Sequence, residues 1–279
     1  MGLRIATNIP AVSAQKNLYG LSIAQGTAME RLSSGYRINK SADDAAGLAM
    51  SESIKALTRG YAQANRNAND GISLIQIAEG SLNEITNMLV RLRELAMQSA
   101  SDTIGDRERA LVDIEYQNLK EEIERVAVTT KFNDTPLLDG QGGVLDFQVG
   151  VRNEQFEDRI SFDAGLADAK LEAMQMTEAN VLDKLSAQES LAVVDDAIAY
   201  VTGMRANFGA LQNRLQSTSQ NLKIQEENFA AANSRIRDAD IAVESSNLAK
   251  NNVLLQAATA VLSQANQNNN LALKLIGNG

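Results

Sequence analysis

Between Ile54 and Ala96, apolar or small residues recur at Ile54, Leu57, Tyr61, Ala64, Ala68, Gly71, Ile75, Ala78, Leu82, Ile85, Leu89, Leu92 and Ala96, in alternating steps of three and four. A mean spacing of 3.5 residues kept this long predicts an α-helix whose stripe supercoils left-handedly against partner helices. At 1.5 Å per residue the stripe runs for roughly 70 Å, longer than an ordinary globular helix. A plain amphipathic helix in a common bundle is the alternative. The spacing returns after the loop "SASDTIGDRE" at Val112, Tyr116, Leu119, Ile123 and Val126. Near the other end it returns at Met204, Phe208, Leu211, Leu215, Thr218, Leu222, Gln225, Phe229, Ala232, Ile236, Ala239 and Val243. Three such seams can close one antiparallel bundle, with both chain ends at the same end of a rod.

The composition agrees with long helices. Prolines occur only at Pro10 and Pro136, Trp is absent, and aromatics make up 4%. Cys and His are both missing, which removes thiolate nucleophiles, disulfides, Cys/His zinc sites and imidazole bases together. No cofactor or metal is expected. Paired carboxylates, for example Asp195 with Asp196 or the Glu121 to Glu124 cluster, are the footing a helical enzyme would use, and on such helices they read as solubility and ion-pair positions. A net charge of −9 without a basic run argues against nucleic acid. No apolar run is long enough for membrane insertion, and "MGLRIATNIPAVSAQ" lacks the apolar core of a secretory signal. The chain is therefore expected to be cytoplasmic or exported without a signal peptide.

In "DGQGGVLDFQVGVRNEQFEDRISFDAG" the period changes to two: Leu145, Phe147 and Val149 alternate with polar residues, and Ile160 with Phe162 offers a partner strand. A small β-hairpin region follows. "DGQGG" reads as a turn, and "NDTP" at Asn133 fits both the glycosylation triplet and a tight turn; the turn is the reading taken.

Both termini are apolar over more of their circumference than a solvated helix tolerates. Leu18, Leu21 and Leu32 near the start, and Leu255, Ala258, Leu262 and Ala265 near the end, are the candidates for packing subunits together. In "LSSGYRINKSADDAAGLAM", Gly35 predicts a helix terminator and Ser41 with Asp44 a capping box that opens the next helix. That break is a joint between a terminal helix pair and the rod. The charges beside it, Arg31, Arg37, Asp43, Asp44, Arg235, Arg237, Asp238 and Asp240, are either a rim that sets register between subunits or a solvated face. The domains are then 1–40 and 239–279 for the terminal pair, 41–176 for two long helices with the β-hairpin region, and 177–238 for the last rod helix. The fold class is mainly α: a long antiparallel coiled-coil rod with a small β-hairpin region and a terminal helix pair.

Several blocks, in order, carry a family resemblance: "ERLSSGYRINKSADDAAGLAM", "ANRNANDGISLIQIAEGSLNEI", "RLRELAMQSA", "GALQNRLQSTSQNL", "SRIRDADIAVESSNLAK" and "AVLSQANQ". Across nearly its whole length the chain resembles bacterial flagellins, in a short form without outer variable domains. The resemblance implies a structural subunit that polymerises with itself into the filament used for swimming. It also implies secretion through the flagellar type III export apparatus, with a secretion chaperone, cap and hook-junction proteins as partners. A hook–filament junction protein shares the terminal resemblance, and a secreted helical binding module is the remaining alternative. The resemblance further implies contact with the animal Toll-like flagellin receptor through Arg91 and Leu95 of the first long helix and Glu115 of the next. The plainer reading of those three is an inter-helix ion pair beside a seam leucine.

Overall fold

A computed structural model describes residues 7–277, and of residues 268–277 the backbone alone. The elements are α1 (Ile9–Ser34), α2 (Ala45–Ser99), α3 (Asp106–Thr129), β1 (Lys131–Phe132), β2 (Thr135–Pro136), β3 (Val144–Gln148), the single turn α4 (Gln155–Asp158), β4 (Arg159–Asp163), α5 (Lys184–Arg237) and α6 (Ile241–Gly277). The mainly α architecture with a small β region is thus as expected. The chain forms two compact units, Leu57–Glu227, and Met1–Ala56 with Asn228–Gly279. Their boundaries fall inside α2 and α5, whereas the helix breaks lie at Gly35 and Asp238.

In Leu57–Glu227 the core runs along the anticipated seam of α2: Ala64, Ala68, Ile75, Ala78, Leu82, Ile85, Leu89, Leu92 and Ala96 are buried. Leu74 and Leu95 are buried as well, because α2 has partners on two sides and needs a wider stripe than a two-helix seam. Tyr116 and Ile123 of α3 and Phe208, Leu215 and Leu222 of α5 close the cluster. Bonds from Arg93 to Asp195 and from Ser219 to Asn65 show α2 and α5 antiparallel. The last seam does not continue as written: α5 ends at Arg237, so Ala239 and Val243 lie beyond it, and Val243 is exposed.

The β3–β4 hairpin pairs Leu145 with Phe162 and Phe147 with Ile160 in antiparallel register. Phe147 presses on α2 at Gly71, where an added Cβ would come within 3.1 Å of its ring, so the seam glycine makes room for the hairpin. "NDTP" forms the tight turn expected of it. Asn133 and Asp134 both have positive φ, 49° and 64°, and join the short β1–β2 hairpin, the two-residue loop that suits the twist of paired strands.

Residues 164–183 show no clear periodicity, and side chains of α3 anchor their backbone. The Lys120 ammonium donates to the carbonyls of Thr177 (3.0 Å) and Ala179 (2.7 Å). Asp113 accepts from the Val181 amide (2.9 Å) and Glu124 from the Leu171 amide (2.9 Å). Met174, Met176 and Val181 fill the space so defined.

Tyr116, fully buried among these groups, has its pKa pushed up to about 12 by burial. A phenol whose pKa is raised on folding contributes stability below its unfolded value near 10, and that contribution is lost as pH rises through 12. Burial lowers the pKa of Lys120, so its effect has the opposite sign and returns stability as pH approaches 10.5. The net loss therefore concentrates above about pH 10.5, and two pKa units bound it at about 2.7 kcal/mol. Denaturant unfolding of Tyr116→Phe is expected to lack this alkaline fall. A mutant curve as steep as wild type would assign the loss to another group.

Candidate assembly surface

In Met1–Ala56 with Asn228–Gly279, α1 packs along α6. Pro10 sits at the first turn of α1, Asn8 caps it through the Ala11 amide, and Gly35 ends it in the left-handed conformation, φ 74°. Of the buried or half-buried positions, 11, 14, 18, 21, 25, 28 and 32 on α1 and 244, 248, 251, 255, 258, 262 and 265 on α6 form one stripe each, flanked by the half-buried Thr27, Glu30, Arg31 and Asn252. Both follow steps of three and four, an antiparallel coiled-coil seam. Arg31 to Glu244 (3.0 Å), Gln25 to Asn252 (2.5 Å) and Asn8 to the Ala265 carbonyl (3.2 Å) fix its register.

The terminal apolar residues chosen from the sequence lie on the pairing of the two terminal helices with each other. Leu18, Leu21, Leu32, Leu255, Ala258 and Leu262 are half-buried and Ala265 is buried, all on the seam between the chain's own helices. The solvent-facing sides carry other residues: Ile9, Val12, Tyr19 (72% exposed) and Ile23 on α1, and Val253 (65%), Leu254 and Val261 on α6. Counting apolar residues could not separate the two faces, since each helix has one stripe for its partner and a second one left over. The apolar run within "NNNLALKLIG" lies outside the described side chains.

Most of the charges near the break are used inside the chain. Asp44, rather than Ser41, is the cap of α2, accepting from the Gly47 amide (2.9 Å); a residue next to the first turn competes better than one three positions earlier. Asp43 accepts from the amides of Asn39 and Lys40 at 3.0 Å each, bonds that hold its carboxyl below the usual range. Asp240 caps α6 through the amides of Ala242 and Val243. Arg37 donates to the Ile236 carbonyl (2.6 Å), and its amide to the Arg237 carbonyl (2.7 Å). Arg237 pairs with Glu52 and lies over the Tyr36 ring at 4.8 Å. Arg235 and Asp238 have exposed side chains, while the Asp238 backbone bridges to Tyr36.

Of the three candidate receptor-contact residues, the structure brings two together at the surface. Arg91 donates to Glu115 (2.8 Å) and to Glu94 (2.9 Å). Leu95 is 1% exposed and belongs to the buried core cluster, so it cannot fill a partner's apolar dip. Three of the carboxylates considered for catalysis have structural partners: Asp195 pairs with Arg93 at 2.6 Å, Glu122 pairs with Arg125 at 2.5 Å, and Glu124 accepts from the Leu171 amide. Among the described residues, no group of three acidic or metal-ligating side chains is placed to hold a metal, and no helix is long and apolar enough to cross a membrane.

Family comparisons agree with this arrangement. The profile of the bacterial flagellin N-terminal helical region matches residues 5–142, and that of the C-terminal helical region matches residues 191–276. A flagellin of Halalkalibacterium halodurans is 43% identical over 270 residues, covering 96% of this chain and 98% of that one. A flagellar filament core protein of Brachyspira hyodysenteriae is 39% identical over 285 residues, covering 98% and 99%. The crystal structure of Bacillus cereus flagellin superposes with a TM-score of 0.51 at 31% identity, covering 60% of this chain and 94% of that one. With both helical regions matched in order and relatives aligned nearly end to end, the chain belongs to the bacterial flagellin family.

Proposed function

We propose that copies of this chain associate by burying the outward faces of α1 and α6 against one another, and that this burial builds the extracellular flagellar filament. Flagellins are structural, self-polymerising subunits of the filament that drives swimming, and near-full-length similarity to flagellins favours this role over a junction protein. One observation carries the mechanism. The α1–α6 pair satisfies its own seam yet leaves Val12, Tyr19, Ile23, Val253 and Val261 in water, where apolar surface forfeits roughly 25 cal/mol per Å². A second copy is the natural cover, because an identical subunit brings the same faces in fixed geometry.

Family membership also supports export through the flagellar apparatus with a secretion chaperone, and growth from the hook-junction proteins beneath the cap. Receptor contact is proposed for Arg91 and Glu115 alone. Their guanidinium and carboxylate are exposed and can exchange their mutual bond for a partner's.

Purified chain is expected to form filaments when ammonium sulfate screens its charge and strengthens apolar association. Its monomer is expected to activate receptor-reporter cells, and Arg91→Ala to weaken the signal. Electron micrographs without filaments would overturn the assembly reading, and a silent monomer would overturn the receptor one.

A further inference from the structure

In Leu57–Glu227 the two edges of the β3–β4 hairpin differ. Along β3 runs α2: Asn67 donates to the Gln148 carbonyl (2.9 Å), and Phe147 lies against Gly71. β4 pairs with β3 alone, and among the described residues no backbone amide or carbonyl of residues 159–163 bonds to a group outside the hairpin. Successive residues of an antiparallel strand turn their backbone groups to opposite sides, so β4 offers a row of unpaired donors and acceptors that another extended segment can take up.

A groove follows that open edge. Gln155 and Phe156 of the turn α4, Arg159 and Ser161 of β4 and Arg214 of α5 line its first part, of about 420 Å³. At Ser161 it meets a second, apolar part walled by Leu166, Phe208 and Leu211. Phe156 is 89% exposed, and its turn is held in place. The Asp158 carboxylate accepts from the Glu154 amide (3.0 Å), and the Asp158 carbonyl accepts from the amides of Val149 (2.7 Å) and Gly150 (3.1 Å).

No carboxylate neutralises the two guanidiniums. Arg159 is held by the neutral side chains of Gln148 and Asn153, and Arg214 enters no ion pair among the described residues. The carboxylates that border the groove are engaged elsewhere: Asp146 accepts from the Ser161 hydroxyl (2.6 Å) and Asp163 from the Gly165 amide (2.9 Å). Glu157 lines a separate pocket.

We propose that the open edge of β4 binds, by strand addition, an extended peptide in which acidic residues alternate with apolar ones. The peptide backbone continues the hairpin as a third strand. Its alternate side chains point to opposite faces, which sets carboxylates beside Arg159 and Arg214 and apolar groups over Leu211 and Phe208. A second copy of β4 is a poor occupant, because its guanidiniums would meet these. Binding is to the monomer and is independent of how copies assemble.

The test is a titration of purified monomer into a fluorescein-labelled synthetic peptide of alternating Glu and Val, followed by anisotropy. Saturable binding is expected. Replacing every Glu of the peptide with Lys, or Arg214 of the chain with Glu, is expected to weaken it about tenfold or more, the effect of losing a close charge pair. Methylating every backbone nitrogen of the peptide is expected to weaken it as much, because the peptide then donates nothing to the strand. Arg214 is exposed and free of ion pairs, so Arg214→Glu should melt as wild type does. Absence of saturable binding overturns the site, and an unchanged affinity in Arg214→Glu overturns its assignment to this groove. Equal binding by the methylated peptide overturns strand addition in favour of a groove for polyanions at large, acidic polysaccharides included. None of these outcomes bears on whether the chain forms filaments.

Discussion

Removing residues 258–279 is expected to abolish filament formation while leaving the Leu57–Glu227 core folded. The deletion takes away the seam positions Ala258, Leu262 and Ala265, the Asn8 bond to the Ala265 carbonyl, and the outward residue Val261. The facing turns of α1 around Ala11 and Ala14 lose their partner, and isolated helical segments of this length are marginal in water. The buried residues from Ala64 to Leu222 are untouched. Thermal unfolding should therefore keep the cooperative transition of the core, with helicity reduced by little more than the deleted residues and the exposed start of α1. Sedimentation after ammonium sulfate should find no polymer. Filaments from the truncated chain at wild-type concentrations would show that the end of α6 is dispensable. Loss of the core transition would show that the two units do not fold independently.

How much of this could be read in advance depended on whether the information was periodic. The seam of α2, the period-two hairpin and the glycine stop at Gly35 are local patterns with one cheap solution each, and they fold as read. Residues 164–183 are different. Their backbone is held by Lys120, Asp113 and Glu124, polar side chains on a helix about 50 or more positions away, and nothing in the segment announces which carbonyl will meet which ammonium. The same gap explains Leu95. Heptad counting assigns Leu92 and Ala96 to the seam, but a helix with two partners also buries the residue between them.

The assembly surface was half legible. Excess apolar content marked both terminal helices as needing cover, yet the residues first picked from that excess are the ones α1 and α6 use for each other. Finding the outward stripe required the antiparallel register set by Arg31 with Glu244 and Gln25 with Asn252. The charges at the break were visible as a cluster, but their division into caps, such as Asp44 and Asp240, and pairs, such as Arg237 with Glu52, depends on where each helix starts.

The central claim, that the outward faces of α1 and α6 drive assembly while the seam between them is already satisfied, predicts a sharp separation between assembly and stability. Tyr19 and Val253 are largely exposed in the single chain, so replacing either with Asp should change its stability by no more than about 0.5 kcal/mol. In the filament the same carboxylate enters an apolar interface, at a cost of about 3 kcal/mol from the lower part of the range for unpaired polar groups. That cost raises the critical concentration roughly a hundredfold. The direct measurement is the critical concentration of Tyr19→Asp and Val253→Asp by sedimentation, with circular dichroism melts of the same monomers. The account predicts wild-type melts and almost no pelleted polymer. Normal polymerisation by both variants would contradict it, because the faces assigned to assembly would then still be in water in the filament.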